Sequence, residues 1–362
     1  MRGIPAVIAA IGCSLSIGTS AFGQQTASDI RIRLSAVDGA PMRGALVALI
    51  DGRDSVVAEG LSSEAGVRTL RAPAGVYRVR VRRIGYLPFV SSELTMPRAG
   101  ELVLNVESSR VQLEGIVVTS KSPCKRTDPD AGSLATVWDE IDKALRSTQI
   151  TTNDLKGIGW ARTYRRETGS DGTVISADSN VFRIIDHRPF GAIDPATLAS
   201  DGYVLGDEEK GWSYFAPDEA VLMSDEFAST HCFRLVRSTD RRGQIGVAFE
   251  PVPRRKQSDI AGVIWVDRAT AELREIVFQF VNARALSRFD SGGFTRFRRV
   301  PSGTWIVAEW KLSVPRLQLR QAGAYTSPRL VSVGRVDNGG GIFESIDPAR
   351  PTAKPDSLTS KQ

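Results

Sequence analysis

The sequence predicts a mainly β protein: a small seven-stranded β-sandwich, followed by a larger antiparallel β domain that forms a curved sheet or half-barrel with one or two packed helices. Short runs of β-branched and aromatic residues recur from residue 29 onwards, separated by Gly, Pro, Asp and Asn. A stretch rich in turn residues, 122–132, divides these runs into two sets. Helical periodicity is confined to two segments, the longer of which is 133–146.

The first 23 residues are predicted to be a secretory signal peptide. They carry Arg2 ahead of an apolar run, 4–11, and end in Ala-Phe-Gly at 21–23, with small residues at both positions that a signal peptidase reads. A lipoprotein is the alternative, because small residues also precede Cys13. We therefore expect an exported protein, located in the periplasm or associated with the outer membrane.

The chain that follows the predicted leader is long enough for two domains and is basic. Removing 23 of the 362 residues leaves 339, and domains typically have about 100–200 residues. Only Arg2 is lost from the charge count, so the formal net charge falls from +6 to +5. We expect no nucleic-acid partner outside the cytoplasm and no cofactor. An envelope protein, a polysaccharide or a lipid fits a basic exported chain, and peripheral membrane association belongs to this expectation.

The first module, residues 28–120, is predicted to be the sandwich. Strands at 30–36 and 45–50 are separated by turn residues. The clearest strand, 76–82, alternates three apolar residues with arginines at 78, 80 and 82. Because successive side chains of a strand point to opposite faces, these arginines are expected to lie in water. A basic binding stripe is the alternative.

Four stretches of this module follow one another in a characteristic order. They are Val-Asp-Gly-Ala-Pro at 37–41, Gly-Ala-Leu-Val-Ala-Leu at 44–49, Pro-Ala-Gly-Val-Tyr-Arg-Val at 73–79 and Gly-Tyr at 85–86. This order resembles the carboxypeptidase regulatory-like domain, a transthyretin-like fold that is also grouped with carbohydrate-binding-like domains. The resemblance implies a non-peptidase accessory module of envelope proteins, with tight turns at Gly39 and Gly75 and large anchors at Tyr77 and Tyr86.

The last ten residues of the first module resemble a stretch found in a second group of proteins. Residues 111–120, Val-Gln-Leu-Glu-Gly-Ile-Val-Val-Thr-Ser, resemble the stretch that joins such modules to the plug of TonB-dependent receptors. The resemblance implies a partner-binding strand at Ile116, Val117, Val118 and Thr119. Only 242 residues follow Ser120 and they lack plug sequence, so a whole receptor is not expected. A last sandwich strand followed by a linker is the alternative.

Two cysteines, Cys124 and Cys232, remain after the predicted leader. An even pair in an oxidising compartment favours a disulfide over two free thiols. Closing a loop of about a hundred residues contributes about 4–5 kcal/mol in the chain-entropy model. A bridge between these cysteines would also prevent Cys232 from acting as a nucleophile beside His231.

Residues 121–132 are predicted to be a linker, 133–346 a β-rich domain, and 347–362 a disordered tail with three prolines. Within the domain, Ser133 is expected to cap a helix that continues to residue 146, and a second short helix is expected at 218–227. Eight strands are expected, at 159–166, 174–185, 245–250, 260–266, 273–281, 294–300, 304–314 and 329–336.

A hairpin and a long strand of this domain form a recognisable combination. The hairpin over 260–281 has a polar turn between two apolar strands, and the strand at 304–314 is predicted to carry its apolar residues from 306 to 314 on one face, under a helix. The combination resembles the curved half-barrel of outer-membrane lipoprotein carrier and sorting proteins. The resemblance implies a concave face able to hold an acyl chain.

No catalytic site and no metal site are predicted. The chain has two histidines, His187 and His231, and neither has a Glu placed for zinc binding. Acidic pairs such as Asp218-Glu219 are expected at the surface or at helix N-termini, and the glycines at 339–341 lack the Lys-Ser/Thr of a phosphate loop. A buried His–Asp pair or converging carboxylates in the structure would support an enzyme instead.

The basic clusters and most aromatic side chains of the second domain are expected to have structural roles and not to bind ligands. The basic clusters at 254–256 and 296–299 are expected to be solvated. Most aromatic residues of the second domain are expected in its core rather than on sugars: Trp160, Tyr164, Trp212, Tyr214, Trp265, Trp305 and Trp310.

The sequence therefore predicts an exported envelope binding or scaffold protein that is not an enzyme. A periplasmic lipid or lipoprotein carrier that uses a half-barrel concavity is the alternative, and an envelope hydrolase is the third candidate. A dry concave pocket in the second domain would favour the carrier, whereas a filled core would favour the scaffold.

Overall fold

The structure is a computed structural model that describes residues 27–107, 109–118, 130–155, 159–184, 193–207, 211–300, 303, 305–321 and 327–343. The predicted signal peptide, most of the predicted linker and the predicted tail lie outside these residues. In the described part of the chain, no helix is both long enough and apolar enough to cross a membrane. The predicted fold class, mainly β with a sandwich and a larger β domain, is confirmed.

The first module is a sandwich of two sheets. Its strands are β1 (Ser28–Ala36), β2 (Leu46–Ile50), β3 (Val56–Leu61), β4 (Val67–Ala72), β5 (Gly75–Arg82), β6 (Phe89–Val90), β7 (Leu94–Met96) and β8 (Glu101–Val106). One sheet has the order β4-β1-β8, with β1 and β8 parallel. The other has the order β3-β2-β5-β6, and β7 also pairs with β5. The module has eight strands instead of the predicted seven, because β6 and β7 are two short strands that pair with different parts of β5.

Alternating side chains fill the space between these two sheets. Tyr77, Val79 and Val81 of β5 are buried against the inward residues of β1. The Tyr77 hydroxyl donates to the Pro73 carbonyl at 3.2 Å, so this tyrosine is an anchor as predicted. Gly39 has a φ of +82°, which its turn requires, whereas Gly75 is the first residue of β5.

The larger domain is built on an open antiparallel sheet. Its nine strands among the described residues are β9 (Trp160–Gly169), β10 (Val174–Arg183), β13 (His231–Val236), β14 (Gln244–Pro251), β15 (Asp259–Asp267), β16 (Leu273–Val281), β17 (Gly292–Arg299), β18 (Trp305–Arg320) and β19 (Arg329–Phe343). They follow the order β10-β9-β19-β18-β17-β16-β15-β14-β13. A separate hairpin joins β11 (Val204–Asp207) to β12 (Gly211–Tyr214). All eight predicted strands are present, while β11, β12 and β13 were not predicted.

The early hairpin β9–β10 joins the sheet through the last strand, β19. This pairing runs from Gly334 opposite Gly169 to Phe343 opposite Trp160. Glycine is needed within it, since a Cβ at position 339 would lie 2.4 Å from the Tyr164 ring. The glycines at 339–341 therefore belong to a strand in the interior of the sheet, and their role is close packing.

A long helix, α1 (Ala131–Asp154), packs across one face of the sheet, against β14, β16 and β18. The sequence predicted its end at residue 146 because the following residues are polar. The helix nevertheless continues to Asp154, and Ser147, Thr148 and Thr152 donate their hydroxyls to carbonyls four residues earlier, at 2.7–2.9 Å. The N-cap is Asp130, not Ser133 as predicted.

A bulge in β18 changes which of its side chains face the main core. The pairing with β17 passes over Ala308, so the alternation of the strand is interrupted there. Ile306 packs in a small cluster with Ile184, whereas Trp310 joins the core that contains α1. The prediction of one continuous apolar face from 306 to 314 is wrong for this reason.

Three short helices complete the core beside α1: α2 (Pro195–Asp201), α3 (Glu219–Leu222) and α4 (Asp225–Thr230). The single helix predicted at 218–227 is divided in two because Ser224 caps α4, accepting from the Phe227 N–H at 3.1 Å. Asp218 caps α3 and accepts from the Val221 N–H at 2.9 Å. This carboxylate therefore has the capping role that the sequence indicated.

Candidate functional site

A buried ion pair on α1 fixes the sandwich to the larger domain. Lys143 is fully buried, and its Nζ lies 2.7 Å from a carboxylate oxygen of Glu140, which is 1 % exposed. The same ammonium lies 2.8 Å from Asp139 and donates to the Tyr86 carbonyl at 3.0 Å. Glu140 also accepts the Gly85 N–H at 2.7 Å. One charged pair thus satisfies both an N–H and a C=O of a turn in the sandwich.

The arginine face of β5 is partly covered, and its last arginine meets α1. Arg82 lies 2.8 Å from Asp142, which is 60 residues further along the chain. Arg78 pairs with Asp54, and burial lowers the pKa of Arg80. The prediction that these arginines are solvated is wrong for Arg82, because strand alternation alone does not show that a distant helix covers this end of the face.

Residues 113–116 bind to the larger domain, whereas residues 109–111 are hydrogen-bonded to the turn of the sandwich at 85–87. Leu113 and Ile116 are buried in the core of the larger domain. Arg268, in the turn after β15, donates to the Leu113 and Glu114 carbonyls, and Arg237 donates to the Ile116 carbonyl. The connection between the two modules is therefore held at its start by the sandwich and at 113–116 by arginine side chains of the larger domain.

The predicted partner strand falls in this segment. Ile116, Val117 and Val118 lie in no strand, and Thr119 lies outside the described residues. Ile116 is buried, whereas Val117 is 66 % exposed. Binding of a partner strand through these residues remains a prediction, and Val117 is the described side chain most open to such a partner.

His231 and Asp259 form a buried pair between β13 and β15. His231 Nε2 lies 3.1 Å from an oxygen of Asp259, and both side chains are fully buried. The other ring nitrogen, Nδ1, lies 3.1 Å from the Phe227 carbonyl and 3.1 Å from the Thr230 hydroxyl. The Phe227 ring covers the imidazole with a centroid distance of 4.1 Å. Sequence reasoning missed this pair; a signal for it was Asp259, an acid at the head of an apolar strand.

Both ring nitrogens of His231 face oxygen atoms of the core. Nδ1 faces a carbonyl, and Nε2 faces the Asp259 carboxylate and the Ile260 carbonyl at 3.2 Å. A general base needs a free lone pair within reach of the proton that it takes. The Thr230 hydroxyl, the nearest candidate nucleophile, donates to the Glu226 carbonyl at 2.7 Å. The pair thus joins β13, α4 and β15, and both of its side chains are fully buried among the described residues.

Arg255 completes this buried cluster. Its Nε binds the second oxygen of Asp259, and its Nη2 donates to the Ala199 carbonyl at 2.8 Å. The prediction that the basic cluster at 254–256 is solvated is therefore wrong at its central residue. The Asp259 carboxylate binds both Arg255, which also contacts the end of α2, and His231, which follows α4. A buried charge needs such compensating partners.

Two ligand-sized cavities flank the hairpin β11–β12. One, of about 310 Å³, is lined by Val204, Leu205 and Trp212 of the hairpin and by a polar wall that includes Lys256. The other, of about 340 Å³, is lined by Trp212 and Tyr214 and by apolar residues of β18 and β19. Both volumes lie at the lower end of the range for small-molecule sites. Trp212 and Tyr214 were predicted to be core residues, but both are only partly buried and line these cavities.

The remaining predicted groups do not converge on a catalytic centre. Cys232, the second residue of β13, is buried, while Cys124 lies outside the described residues, so the bridge between them remains a prediction. Asp225 and Glu226 occupy the first turn of α4. In the described part of the chain, no group of three or more His, Cys, Asp or Glu side chains is placed to hold a metal ion.

Comparison with known proteins leaves the assignment open. No protein-family model and no curated protein matches the chain. Among solved structures, a mutant of the shaft pilin SpaA from Lactobacillus rhamnosus GG covers 67 % of this chain and 94 % of its own, at 14 % identity and a TM-score of 0.19. BcpA, the major pilin subunit of Bacillus cereus, covers 86 % and 95 % at 9 % identity and a TM-score of 0.21. At these TM-scores neither likeness carries an argument, and both family resemblances seen in the sequence remain predictions.

Proposed function

We propose that this chain is an exported, non-catalytic binding and scaffold protein of the bacterial envelope, in which the sandwich and the larger domain act as one unit. The contacts that fix the sandwich to the larger domain are the main support for this proposal. The Lys143–Glu140 pair, the Arg82–Asp142 pair and the linker carbonyls bound by Arg268 all tie the first module to the second. A scaffold requires such a fixed relation between the surfaces that it presents.

His231 and Asp259 form a buried His–Asp pair, the feature that would support an enzyme, but the contacts of its ring nitrogens favour a structural role. A hydrolase would need the imidazole to face a nucleophile and a substrate, and here both ring nitrogens face oxygen acceptors inside the core. The hydrolase therefore stays the third candidate.

The carrier is the second candidate, and the cavities beside Trp212 favour it. The packing of α1 on the sheet argues against a large open concavity, because the helix covers part of one face of the sheet. Any carried molecule would have to be small.

Four finer statements belong to the proposal. The sandwich acts as a carboxypeptidase regulatory-like accessory module, and the protein resides in the periplasm or at the outer membrane. Cys124 and Cys232 form a disulfide. A net charge of +5 after removal of Arg2 and the rest of the leader favours anionic envelope components as partners.

Fractionation and binding assays test the proposal. Expressed in a Gram-negative host with its own leader, the chain is expected in the envelope fractions with an intact mass that begins at Gln24, and non-reducing peptide mapping is expected to find Cys124 joined to Cys232. The mature protein is then sedimented with peptidoglycan sacculi, with phosphatidylglycerol vesicles and with phosphatidylcholine vesicles as the uncharged control. Salt-sensitive binding to sacculi or to the anionic vesicles is expected. An uncleaved cytoplasmic chain, or binding to none of these components, contradicts the proposal.

A further inference from the structure

Two arginines of the sandwich lie over the ring of one tyrosine, Tyr86. The guanidinium carbon of Arg83 is 4.7 Å from the centroid of this ring, and that of Arg110 is 5.7 Å from it. Both distances are within the roughly 6 Å over which a cation is attracted to an aromatic face. The backbone holds the three residues together, because the Tyr86 N–H donates to the Arg83 carbonyl at 3.0 Å and Tyr86 forms a β-bridge with Arg110. Two cations are therefore fixed beside the same ring.

Two more arginines approach this pair, one from each module. Arg43 of the sandwich lies against the turn between β17 and β18, where a Cβ at Gly303 would be 3.4 Å from its Cγ. Arg299 is the last residue of β17 in the larger domain. Burial lowers the pKa of Arg83, and repulsion from Arg299, Arg43 and Arg110 lowers it further. Four like charges thus meet where the sandwich contacts the larger domain.

This group of cations has little counter-charge in the part of the chain that the structure describes. The side chains of Arg43, Arg83 and Arg110 have no ion-pair or hydrogen-bond partner there. Arg299 has one, since its Nη2 lies 3.3 Å from a carboxylate oxygen of Glu272. A half-buried cation such as Arg83 loses water without gaining a counter-ion, which costs free energy. An anion bound among these side chains supplies the missing charge.

The side chains of the group suit a particular kind of anion. A guanidinium is a planar fork of five N–H donors that matches two oxygens of a phosphate at once. A phosphoryl group has three strong acceptor oxygens and can bind more than one such fork, whereas a carboxylate has two oxygens. Arg43, Arg110 and Arg299 are exposed, so these donors are open to solvent in the structure as it stands.

We propose that Arg43, Arg83 and Arg110 form a binding site for the phosphoryl group of an anionic envelope component, with Arg299 at its edge. The phosphoryl oxygens accept hydrogen bonds from the guanidinium groups, two of which are held by Tyr86. Because Arg299 belongs to the larger domain, the anion binds at the junction of the two modules. This inference rests on the binding role proposed above and names the surface and the chemical group through which it acts. A phospholipid headgroup and a soluble or polymer-linked phosphate share this chemistry.

Inorganic phosphate tests the site on the mature protein. Sodium chloride is replaced stepwise by sodium phosphate at constant pH and ionic strength, so that general screening stays the same, and the melting temperature is followed. The natural protein is expected to melt higher as phosphate increases, because a ligand of the folded state stabilises it. Arg83→Gln is expected to weaken phosphate binding at least about tenfold, the loss typical of a hydrogen bond between charged groups.

Two further variants make this loss interpretable. Arg110→Gln, at an exposed position, is expected to show the same loss, so the test does not depend on how Arg83→Gln folds. Arg78→Gln is the matched control. It removes the same charge from the same strand as Arg83→Gln does nearby, but its arginine is paired with Asp54, so it is expected to bind phosphate as the natural protein does.

Sedimentation with phosphatidylglycerol vesicles identifies the source of the phosphoryl group. If a lipid headgroup occupies the site, Arg110→Gln binds the vesicles at least about tenfold more weakly than Arg78→Gln does. If a soluble or polymer-linked phosphate occupies it, the two variants bind the vesicles equally and differ only in phosphate binding. A natural protein that phosphate does not stabilise, or equal behaviour of Arg110→Gln and Arg78→Gln in both assays, overturns the site. A protein that binds phosphate through these arginines but neither sacculi nor vesicles contradicts the scaffold proposal alone.

Discussion

Lys143→Met removes the cation from the pair that joins α1 to the sandwich. Glu140 is then left buried with the Gly85 N–H as its remaining partner in the described contacts. The Tyr86 carbonyl loses its donor at the same time. The substitution thus measures how strongly the stability of the fold depends on the partners of the buried Glu140 carboxylate.

The expected loss follows from the geometry. At the observed 2.7 Å, two unit charges attract by about 6 kcal/mol at an effective dielectric constant of about 20. Part of this gain offsets the desolvation of both ions, and the removal of one partner typically costs about 3–5 kcal/mol. We expect Lys143→Met to lie in this range. Glu140→Leu is expected at its lower end, since Lys143 keeps Asp139 at 2.8 Å.

Urea unfolding of the mature chain measures these losses as a double-mutant cycle. The double variant Glu140→Leu/Lys143→Met is expected to lose no more free energy of unfolding than Lys143→Met alone, because no buried charge remains. Arg146→Met, on the same helix but at a half-exposed ion pair with Asp142, is the control and is expected to lose less than about 1 kcal/mol. Additive losses in the cycle, or a Lys143→Met loss as small as that of the control, would refute the reasoning.

Three further outcomes follow from other contacts. Gly39→Ala, at a positive φ with open space around it, is expected to lower the free energy of unfolding by about 1–2 kcal/mol. Gly85→Ala is expected to lower it by about 1–3 kcal/mol more, because its Cβ would lie 2.9 Å from the Thr270 carbonyl oxygen. Equal melting temperatures of the two variants would contradict this contact. Arg268→Met is expected to speed limited proteolysis within 109–118 about tenfold, through the loss of about 1.4 kcal/mol of hydrogen bonding, and an unchanged rate would show that the linker is held by other contacts. Asp259→Asn is expected to lower the free energy of unfolding by about 3–5 kcal/mol; a variant that melts like the natural protein would mean that the cluster is not ionic.

The strands of the larger domain were predictable because their period-2 patterns are long and apolar. β14 to β19 were all expected within a few residues, apart from the far ends of β18 and β19. The hairpin β11–β12 was not expected, since its strands have four residues each and contain Gly206 and Asp207. A short polar strand depends on tertiary contacts, which a local pattern does not contain.

The candidate sites were less predictable because each joins residues that are distant in the sequence. His231 was set aside for want of a nearby partner, and its partner Asp259 is 28 positions away on a strand that is not its neighbour. Arg82 was expected in water because nothing local shows that Asp142 will cover it.

The pairing of β9 with β19 sets the order in which the chain can fold. Arg165 meets Asn338 across 173 positions of sequence, whereas β1 and β8 of the sandwich meet across 70. Contacts between distant residues form late because the loop must close before they contribute, so the sandwich can fold while the larger sheet is still incomplete. Until residues 329–343 arrive, the hairpin β9–β10 has no neighbour and β18 keeps an open edge, a state prone to aggregation. Without its last strand, the chain would therefore leave an edge of β9 and an edge of β18 unpaired.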